Sequence, residues 1–230
     1  MREIVLDTET TGMDPATGDR LVEIGCVELF NHVPTGKNLH LYLNPERDVP
    51  AEAVAVHGLT YEFLKKHPTF AEVVDQFVNF IAEDVLVIHN AEFDVKFLNA
   101  ELRTLGFPQI QMRRVVDTVG MARRKFPGSP ASLDALCRRF NVDLSERSLH
   151  GALLDSELLA AVYLELLGGR QHGLTLDTPP IKAAMHTEGP VIEDRKVPRP
   201  LRSFAPSADE LAAHQSMIGR LKDAIWKKAG

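Results

Sequence analysis

The sequence lacks any run of about 18 apolar residues, which argues against a membrane-spanning helix within its 230 residues. Cysteine is scarce: Cys26 and Cys137 are the only two, and they form no CxxC pair. We therefore expect reduced, buried thiols in a cytosolic protein instead of a disulfide-stabilised scaffold. The N-terminus also lacks a secretory signal, because charged residues interrupt its one short apolar run.

The chain has no excess of basic residues: 26 Lys and Arg against 32 Asp and Glu give a net charge of −6. Taken alone, this balance argues against a nucleic-acid partner, whose usual signature is a basic surface. The charge is nevertheless uneven. Residues 1–168 carry 16 basic and 25 acidic side chains (net −9), whereas residues 169–230 carry 10 and 7 (net +3). An acidic body with a basic tail needs an explanation.

Composition shifts divide the chain into three segments. Residues 1–168 alternate apolar runs with helical patterns and end at Gly168-Gly169, a helix stop. Residues 169–206 form a connecting segment with a short peptide at its start and a predicted flexible linker over residues 177–206, where six of the 14 prolines fall. Residues 207–230 begin with a capping box, Ser207 and Glu210, and predict a helix. Its apolar stripe either folds back onto the main domain or docks on another protein, and the long linker favours docking.

Apolar patterns in the first segment predict an α/β fold. Strands are expected at residues 4–6, 21–30 and 39–43, with a hairpin turn over residues 31–37, and further strands at 85–88 and 115–116. Helical spacing occurs at residues 69–81, 91–105, 132–140 and 151–167. This order indicates a mixed five-stranded sheet flanked by helices.

Carboxylates fall at unusual places in this pattern. Asp7 and Glu9 end the first strand two residues apart, so both point to the same side, where burial is costly unless a cation neutralises them. A solvated strand end or a helix cap is the alternative. Asp94 lies in the first turn of a helix. An acidic side chain is favourable at a helix N-terminus, and this effect alone would explain its position. Asp155 lies beside an apolar helix face, and His150, by itself, is more typical of a cap than of a catalyst.

Taken together, Asp7, Glu9, Asp94 and Asp155 can converge at one edge of such a sheet. Hard oxygen ligands of this kind select Mg²⁺ or Mn²⁺. Two such ions can clamp a phosphodiester for in-line attack by water. A histidine that titrates near neutral pH can take the proton of that water. The residues therefore favour metal-dependent phosphodiester hydrolysis.

Three short segments carry a resemblance to a known family. The segments 7–12 (DTETTG), 89–94 (HNAEFD) and 150–155 (HGALLD) resemble, in order and separation, the motifs of the DEDDh 3′–5′ exonucleases. Segments 53–59, 126–128, 132–137 and 208–214 are similar to one branch of that family, the proofreading (epsilon) subunits of bacterial DNA polymerase III. The resemblance covers nearly the whole chain and is weakest at residues 177–199.

The resemblance implies a ribonuclease H-like fold, a two-metal exonuclease and a role for each motif residue. Asp7 would contact both metals, Glu9 and Asp155 would complete the site of the attacking water, Asp94 would support the second metal, and His150 would be the general base. The terminal nucleotide of a single-stranded DNA 3′ end would be bound by Asp7, Glu9, Asp155, Glu52 and His57, in a pocket lined by Thr8, Thr10 and Gly12. His57 is also readable as a turn histidine, and residues 10–12 as a strand-end turn.

The resemblance also implies partners for the tail. Gln171, Leu174 and Leu176 form a short pattern similar to sliding-clamp-binding peptides. The C-terminal helix would dock on the polymerase (alpha) subunit through Leu211, Ile218, Leu221, Ile225 and Trp226. A small third core subunit is left open, no membrane is involved, and the expected location is the bacterial cytosol, at replication forks in the nucleoid. Two alternatives are a stand-alone exonuclease that trims RNA 3′ ends and a non-catalytic tether between polymerase and clamp.

Overall fold

The structure, a computed structural model, describes residues 1–145, 147, 149–169 and 205–221. The chain divides into two units, Met1–Leu176 and Asp177–Gly230. The first unit contains a sheet whose five strands are β1 (Arg2–Thr10), β2 (Leu21–Phe30), β3 (Val33–Tyr42), β4 (Val85–Ile88) and β5 (Val115–Asp117).

The strand order is β3-β2-β1-β4-β5. β1, β2 and β3 pair antiparallel, whereas β4 runs parallel to both β1 and β5. The predicted mixed five-stranded sheet is therefore confirmed. β1 lies in the centre, which explains its uninterrupted apolar run: Ile4, Val5 and Leu6 are all fully buried, because helices cover both faces of the sheet.

The described part of the first unit has seven α-helices: α1 (Ala51–His57), α2 (Tyr61–Leu64), α3 (Phe70–Ile81), α4 (Ala91–Thr104), α5 (Thr118–Lys125), α6 (Leu133–Phe140) and α7 (Ala152–Leu166). One core lies between the sheet and α3 and α4, where Ile4 and Leu6 meet Phe77 and Phe97. A second core joins Val5 on the opposite face to α5, α6 and α7. Within the described residues, no helix is long and apolar enough to cross a membrane.

The hairpin between β2 and β3 is shorter than the sequence predicts. The predicted turn over residues 31–37 was too long. Only Asn31 and His32 form the turn, with φ of 51° and 67°, and β3 already begins at Val33. Two consecutive left-handed residues are typical of a two-residue hairpin turn. Residues 33–38 look like a turn in the sequence because β3 is an edge strand, and its first half is exposed and polar.

α5 has no apolar periodicity in the sequence and was not predicted. The helix ends in Arg123, Arg124 and Lys125. Its start is stabilised by an N-terminal cap, because the Asp117 carboxylate accepts hydrogen bonds from the backbone N–H groups of Val119 (3.1 Å) and Gly120 (3.1 Å). A cap of this kind satisfies N–H groups that a helix start leaves unpaired.

The described part of the second unit contains one helix, α8 (Ala208–Arg220). Its predicted capping box is confirmed, because Ser207 Oγ accepts from Glu210 N (3.3 Å) while Glu210 Oε2 accepts from Ser207 N (2.8 Å). No residue of α8 is buried. Leu221 follows the helix with an extended backbone (ψ 128°), so the helical spacing does not continue through it, whereas Ile225 and Trp226 lie outside the described residues.

Candidate active site

The end of β1 supplies the first residues of the site. Because side chains alternate along a strand, Asp7 and Glu9 share the face of Val5, whereas Thr8 points to the other side. Thr8 Oγ1 donates a hydrogen bond to Asp94 Oδ1 (2.7 Å), and Asp94, in the first turn of α4, is only 3% exposed. The threonine between the two acidic residues therefore holds the third carboxylate in place.

A glycine in β2 brings α7 to the same place. Gly25 pairs with Asp7 across the strands. A β-carbon added to Gly25 would lie 2.2 Å from the carbonyl carbon of Ala152, so only glycine allows α7 to begin so close to the sheet. Ser156 Oγ fixes this contact by donating to the Gly25 carbonyl oxygen (3.0 Å). The consequence is that Asp155, also 3% exposed, faces Glu9 from the start of the helix.

His150 lies just before α7. Its backbone N–H donates to Val56 O (3.2 Å), and its Nδ1 lies 3.3 Å from Asp155 Oδ2, while the side chain is half-exposed. Glu9, His150 and Asp155 offer possible metal-ligand atoms that all lie within 4.8 Å of one another. The structure therefore brings the residues of the three sequence motifs together.

The carboxylates repel one another. Burial, and then the charges of Asp94, Glu9 and Asp155, raise the pKa of Asp7 well above its usual range. Burial and the nearby Glu23 and Asp155 raise the pKa of Glu9 to about 8. Burial raises the pKa of Asp94 to about 7, although the hydrogen bond from Thr8 opposes this shift. So many buried carboxylates can all ionise only beside added positive charge, and oxygen donors of this kind fit Mg²⁺ or Mn²⁺.

A cavity of about 500 Å³ adjoins the carboxylates. The predicted substrate-contacting residues that line it are Thr8, Glu9, Thr10, Gly12, Glu52 and His57, whereas Asp7 and Asp155 do not. Ala53, Val56 and Phe93 give the cavity apolar walls. His57 Nδ1 accepts from Leu59 N (3.0 Å), and its Nε2 is buried and makes no hydrogen bond of good geometry among the described residues, although the Thr10 backbone lies near the ring. Burial lowers the pKa of His57, although the Thr10 backbone and Glu23 oppose this shift, so the neutral imidazole is favoured at the wall of the cavity.

Sequence reasoning missed two charged residues of the site. Glu23 lies directly opposite Glu9 in β2, is 2% exposed, and has Oε1 2.6 Å from His40 Nε2. The sequence could have indicated Glu23, because it is a charged residue inside the apolar run of β2. Arg147 contacts both Asp155 and His150, and only its closeness to His150 in the sequence could have indicated this.

The predicted tail contacts are described only in part. Gln171, Leu174 and Leu176 lie outside the described residues, as do Ile225 and Trp226. Leu211 and Ile218 lie on α8, and Leu221 directly follows it.

Comparison with solved structures supports this fold. The chain superposes on exonuclease X in complex with 5′ overhanging duplex DNA with a TM-score of 0.58 and 24% identity, covering 72% of this chain and 90% of that one. The nuclease domain of 3′hExo, a DEDDh family member bound to rAMP, gives a TM-score of 0.62 at 18% identity, covering 72% and 91%. At these identities the similarity shows a shared fold.

Sequence comparison shows the family. The exonuclease family model matches residues 4–163. The DNA polymerase III subunit epsilon of Rickettsia conorii is 47% identical over 96% of this chain and 96% of the relative. The subunit of the same name from Escherichia coli is 42% identical over 100% of this chain and 95% of the relative. The chain therefore belongs to the exonuclease family, within its group of DNA polymerase III epsilon subunits.

Proposed function

We propose that this chain is the metal-dependent 3′–5′ proofreading exonuclease subunit of a DNA polymerase III, releasing nucleoside 5′-monophosphates from the 3′ end of DNA. One observation carries this proposal: the buried carboxylates of Glu9, Asp94 and Asp155 and the partly buried carboxylate of Asp7 converge with His150 beside a cavity lined by His57. Family membership supports the same conclusion.

The carboxylates would hold two divalent cations, Mg²⁺ or Mn²⁺, with Asp7 between both, Glu9 and Asp155 on the first, and Asp94 on the second. When bound, the cations activate the attacking water and stabilise the oxygen that leaves the phosphorus. Thr8 orients Asp94 through its hydrogen bond, and the carbonyl of Gly25 anchors the first turn of α7 through Ser156. These contacts fix the carboxylates before substrate arrives.

His150 acts as the general base in this proposal. Its half-exposed imidazole at the mouth of the site takes the proton of the water that attacks the terminal phosphorus. The bond to the 3′-oxygen of the preceding nucleotide breaks, and that oxygen leaves with the shortened strand. The backbone hydrogen bond from His150 to Val56 ties this base to α1, which also carries Glu52 and His57.

The cavity would receive the terminal nucleotide. Its apolar walls at Ala53, Val56 and Phe93 suit a base and sugar, and Glu52 and His57 offer polar contacts. Errors would be selected physically, because a mismatched 3′ end unpairs at lower energetic cost and reaches the site more often. The net charge of −9 over residues 1–168 predicts weak DNA affinity without a partner.

The polymerase would compensate for that weak affinity by holding the nuclease near the primer end, where the local concentration is high. We propose that α8 and the residues after it, including Leu221, Ile225 and Trp226, dock on the alpha subunit. No residue of α8 is buried, and the apolar Leu211 is 48% exposed, which supports docking on a partner. Gln171, Leu174 and Leu176 would bind the sliding clamp, and a small third core subunit is a further candidate. On this proposal the protein would act at replication forks in the cytosol.

The activity test uses 5′-labelled DNA with a matched or mismatched 3′ end. Mg²⁺, Mn²⁺ or a chelator is added, with and without the polymerase subunit. We expect a ladder that shortens from the 3′ end only with metal, and faster on the mismatch. An RNA strand of the same sequence tests the RNA-trimming alternative, which equal or faster shortening of RNA would favour. No metal-dependent shortening under any condition would overturn the proposal.

A second test addresses the tail. Leu211→Glu with Ile218→Glu should abolish co-elution with the polymerase subunit and leave cleavage of single-stranded DNA unchanged. Leu174→Ala with Leu176→Ala should weaken only the binding of the clamp. If the double glutamate variant still co-elutes with the polymerase subunit, the docking proposal for α8 is wrong.

A further inference from the structure

Arg147 binds the same carboxylate oxygens that a metal ion would need. Its Nε lies 2.6 Å from Asp155 Oδ1, and its Nη2 lies 2.7 Å from Asp155 Oδ2, a two-pronged ion pair. Both partners are buried, since the Arg147 side chain is 9% exposed and that of Asp155 is 4% exposed. Neither oxygen of Asp155 is therefore free of this guanidinium.

The same guanidinium engages two further groups. Nη2 is 2.9 Å from His150 Nδ1, and Nη1 forms an ion pair with Asp134 in the first turn of α6. A guanidinium only donates hydrogen bonds, so Nδ1 of His150 must accept here. Arg147 therefore binds the proposed general base and one of the proposed metal ligands at the same time.

Arg147 holds a special position among the charges of the site. Within the described part of the chain, it is the one Lys or Arg that forms an ion pair with any of Asp7, Glu9, Asp94 and Asp155. Its charge also lowers the pKa of Glu9, against the upward effect of burial. The acidic cluster is therefore partly neutralised by a cation that belongs to the chain itself.

We propose that Arg147 is an internal counter-ion that competes with the divalent metal for Asp155. This inference rests on the metal-dependent function proposed above. An oxygen that accepts a close hydrogen bond from a guanidinium has less electron density to offer a metal, and the two positive charges repel each other. Metal binding therefore requires Arg147 to leave Asp155. Asp134, whose side chain is 43% exposed, gives the guanidinium a partner that it can keep.

Competition makes a specific prediction about metal affinity. The Arg147→Gln substitution removes the positive charge and should tighten Mn²⁺ binding at least about tenfold. The reason is that Asp155 then no longer has to break its ion pair with Arg147 before it binds the metal. Arg147→Lys keeps the charge but loses the two-pronged geometry and should bind with intermediate affinity. Without metal, the Arg147→Gln protein should unfold at a lower temperature, because Asp155 is then buried without its partner.

The test is a Mn²⁺ titration of the full chain by calorimetry, with electron paramagnetic resonance of free Mn²⁺ as a second readout. Arg139→Gln is the matched control: Arg139 lies on α6 and stacks on the Phe126 ring at 4.3 Å, and its loss should leave Mn²⁺ affinity unchanged. Circular dichroism establishes that each variant is folded. If Arg147→Gln does not fold, Arg147→Lys carries the test.

Tighter Mn²⁺ binding by the Arg147 variants than by both the parent and Arg139→Gln supports the inference. Unchanged or weaker binding overturns it, and weaker binding would mean that Arg147 positions Asp155 for the metal. Failure of the underlying function is distinguishable, because in that case the parent protein itself binds no Mn²⁺ and shows no metal-dependent cleavage.

Discussion

Gly25 and Ala152 touch at the backbone: a β-carbon on Gly25 would stand 2.2 Å from the carbonyl carbon of Ala152 and 2.3 Å from its oxygen. The atoms that this β-carbon would meet belong to the backbone of α7, so no flexible side chain can move aside. The distance between β2 and the start of α7 is therefore set by the absence of a side chain at one position, and the place of Asp155 depends on it.

Gly25→Ala should displace the start of α7. We expect a loss of about 1–3 kcal/mol in the free energy of unfolding, the usual effect of overpacking, and at least about a tenfold fall in nuclease activity. Denaturant unfolding and an oligonucleotide assay measure the two effects. Gly151→Ala is the control, because no atom lies within 4 Å of its added β-carbon; only a small capping loss is expected. Equal behaviour of the two variants would contradict this account.

Asp7→Asn should separate stability from activity. Asp7 is crowded by the charges of Asp94, Glu9 and Asp155, so its neutralisation should stabilise the metal-free protein by about 1–3 kcal/mol. Activity should fall at least about a thousandfold, because the proposed shared metal ligand is lost. Thermal unfolding in chelator and 3′-end cleavage measure both. Asp75→Asn, an exposed site on α3, should change neither. Metal-dependent cleavage by Asp7→Asn would refute the site assignment.

Metal-free stability should decrease with rising pH. Glu9 has a folded-state pKa of about 8 against an ordinary value of 4.5, and Asp94 about 7 against 3.8. Between these values the folded state binds more protons than the unfolded state, so the free energy of unfolding falls as pH rises from about 4.5 to about 8.

Divalent metal should reverse this trend, since it favours the ionised carboxylates and releases their protons on binding. Melting temperatures in chelator and in Mg²⁺ or Mn²⁺ across this pH range test the prediction. Glu9→Gln should flatten the chelator curve. A chelated parent protein whose stability rose steadily from pH 5 to pH 8 would contradict it.

His57→Ala should mainly weaken substrate binding. The buried Nε2 makes no hydrogen bond of good geometry in the described structure, and a hydrogen bond from substrate to it is worth about 1 kcal/mol or somewhat more, so KM for a single-stranded oligonucleotide should rise about tenfold. The value of kcat should change less, and His57→Gln should restore part of the affinity. Loss of kcat with an unchanged KM would instead give His57 a role in the chemical step.

The sheet and its long helices could be predicted because each has a clear local pattern. β2 was predicted at its observed limits and α3 to within one residue, since the Val, Ile and Leu content of residues 21–30 and the spacing of Phe70, Val74 and Phe77 are features of the sequence itself. α5 depends on the Asp117 cap, and the hairpin on the backbone angles of Asn31 and His32, so neither could be identified from apolar spacing.

For the site, three motifs gave the acidic residues and His150, but the contacts between elements could not be read from them. Glu23 joins the site through cross-strand register with Glu9. Gly25 matters because of a helix that begins 127 residues later in the chain. Arg147 belongs to the site because its guanidinium contacts α6, His150 and α7. Each of these relationships appears only when distant segments have packed.

The distance along the chain between Asp7 and Asp155 has a consequence for synthesis. Asp155 is translated 148 residues after Asp7, and the first turn of α7 must dock on Gly25 before the acidic cluster is complete. A chain that has been made only in part, or one in which α7 has not yet packed, therefore lacks Asp155 and holds three of the four carboxylates. Completion of the proposed metal site therefore depends on the docking of α7 on β2.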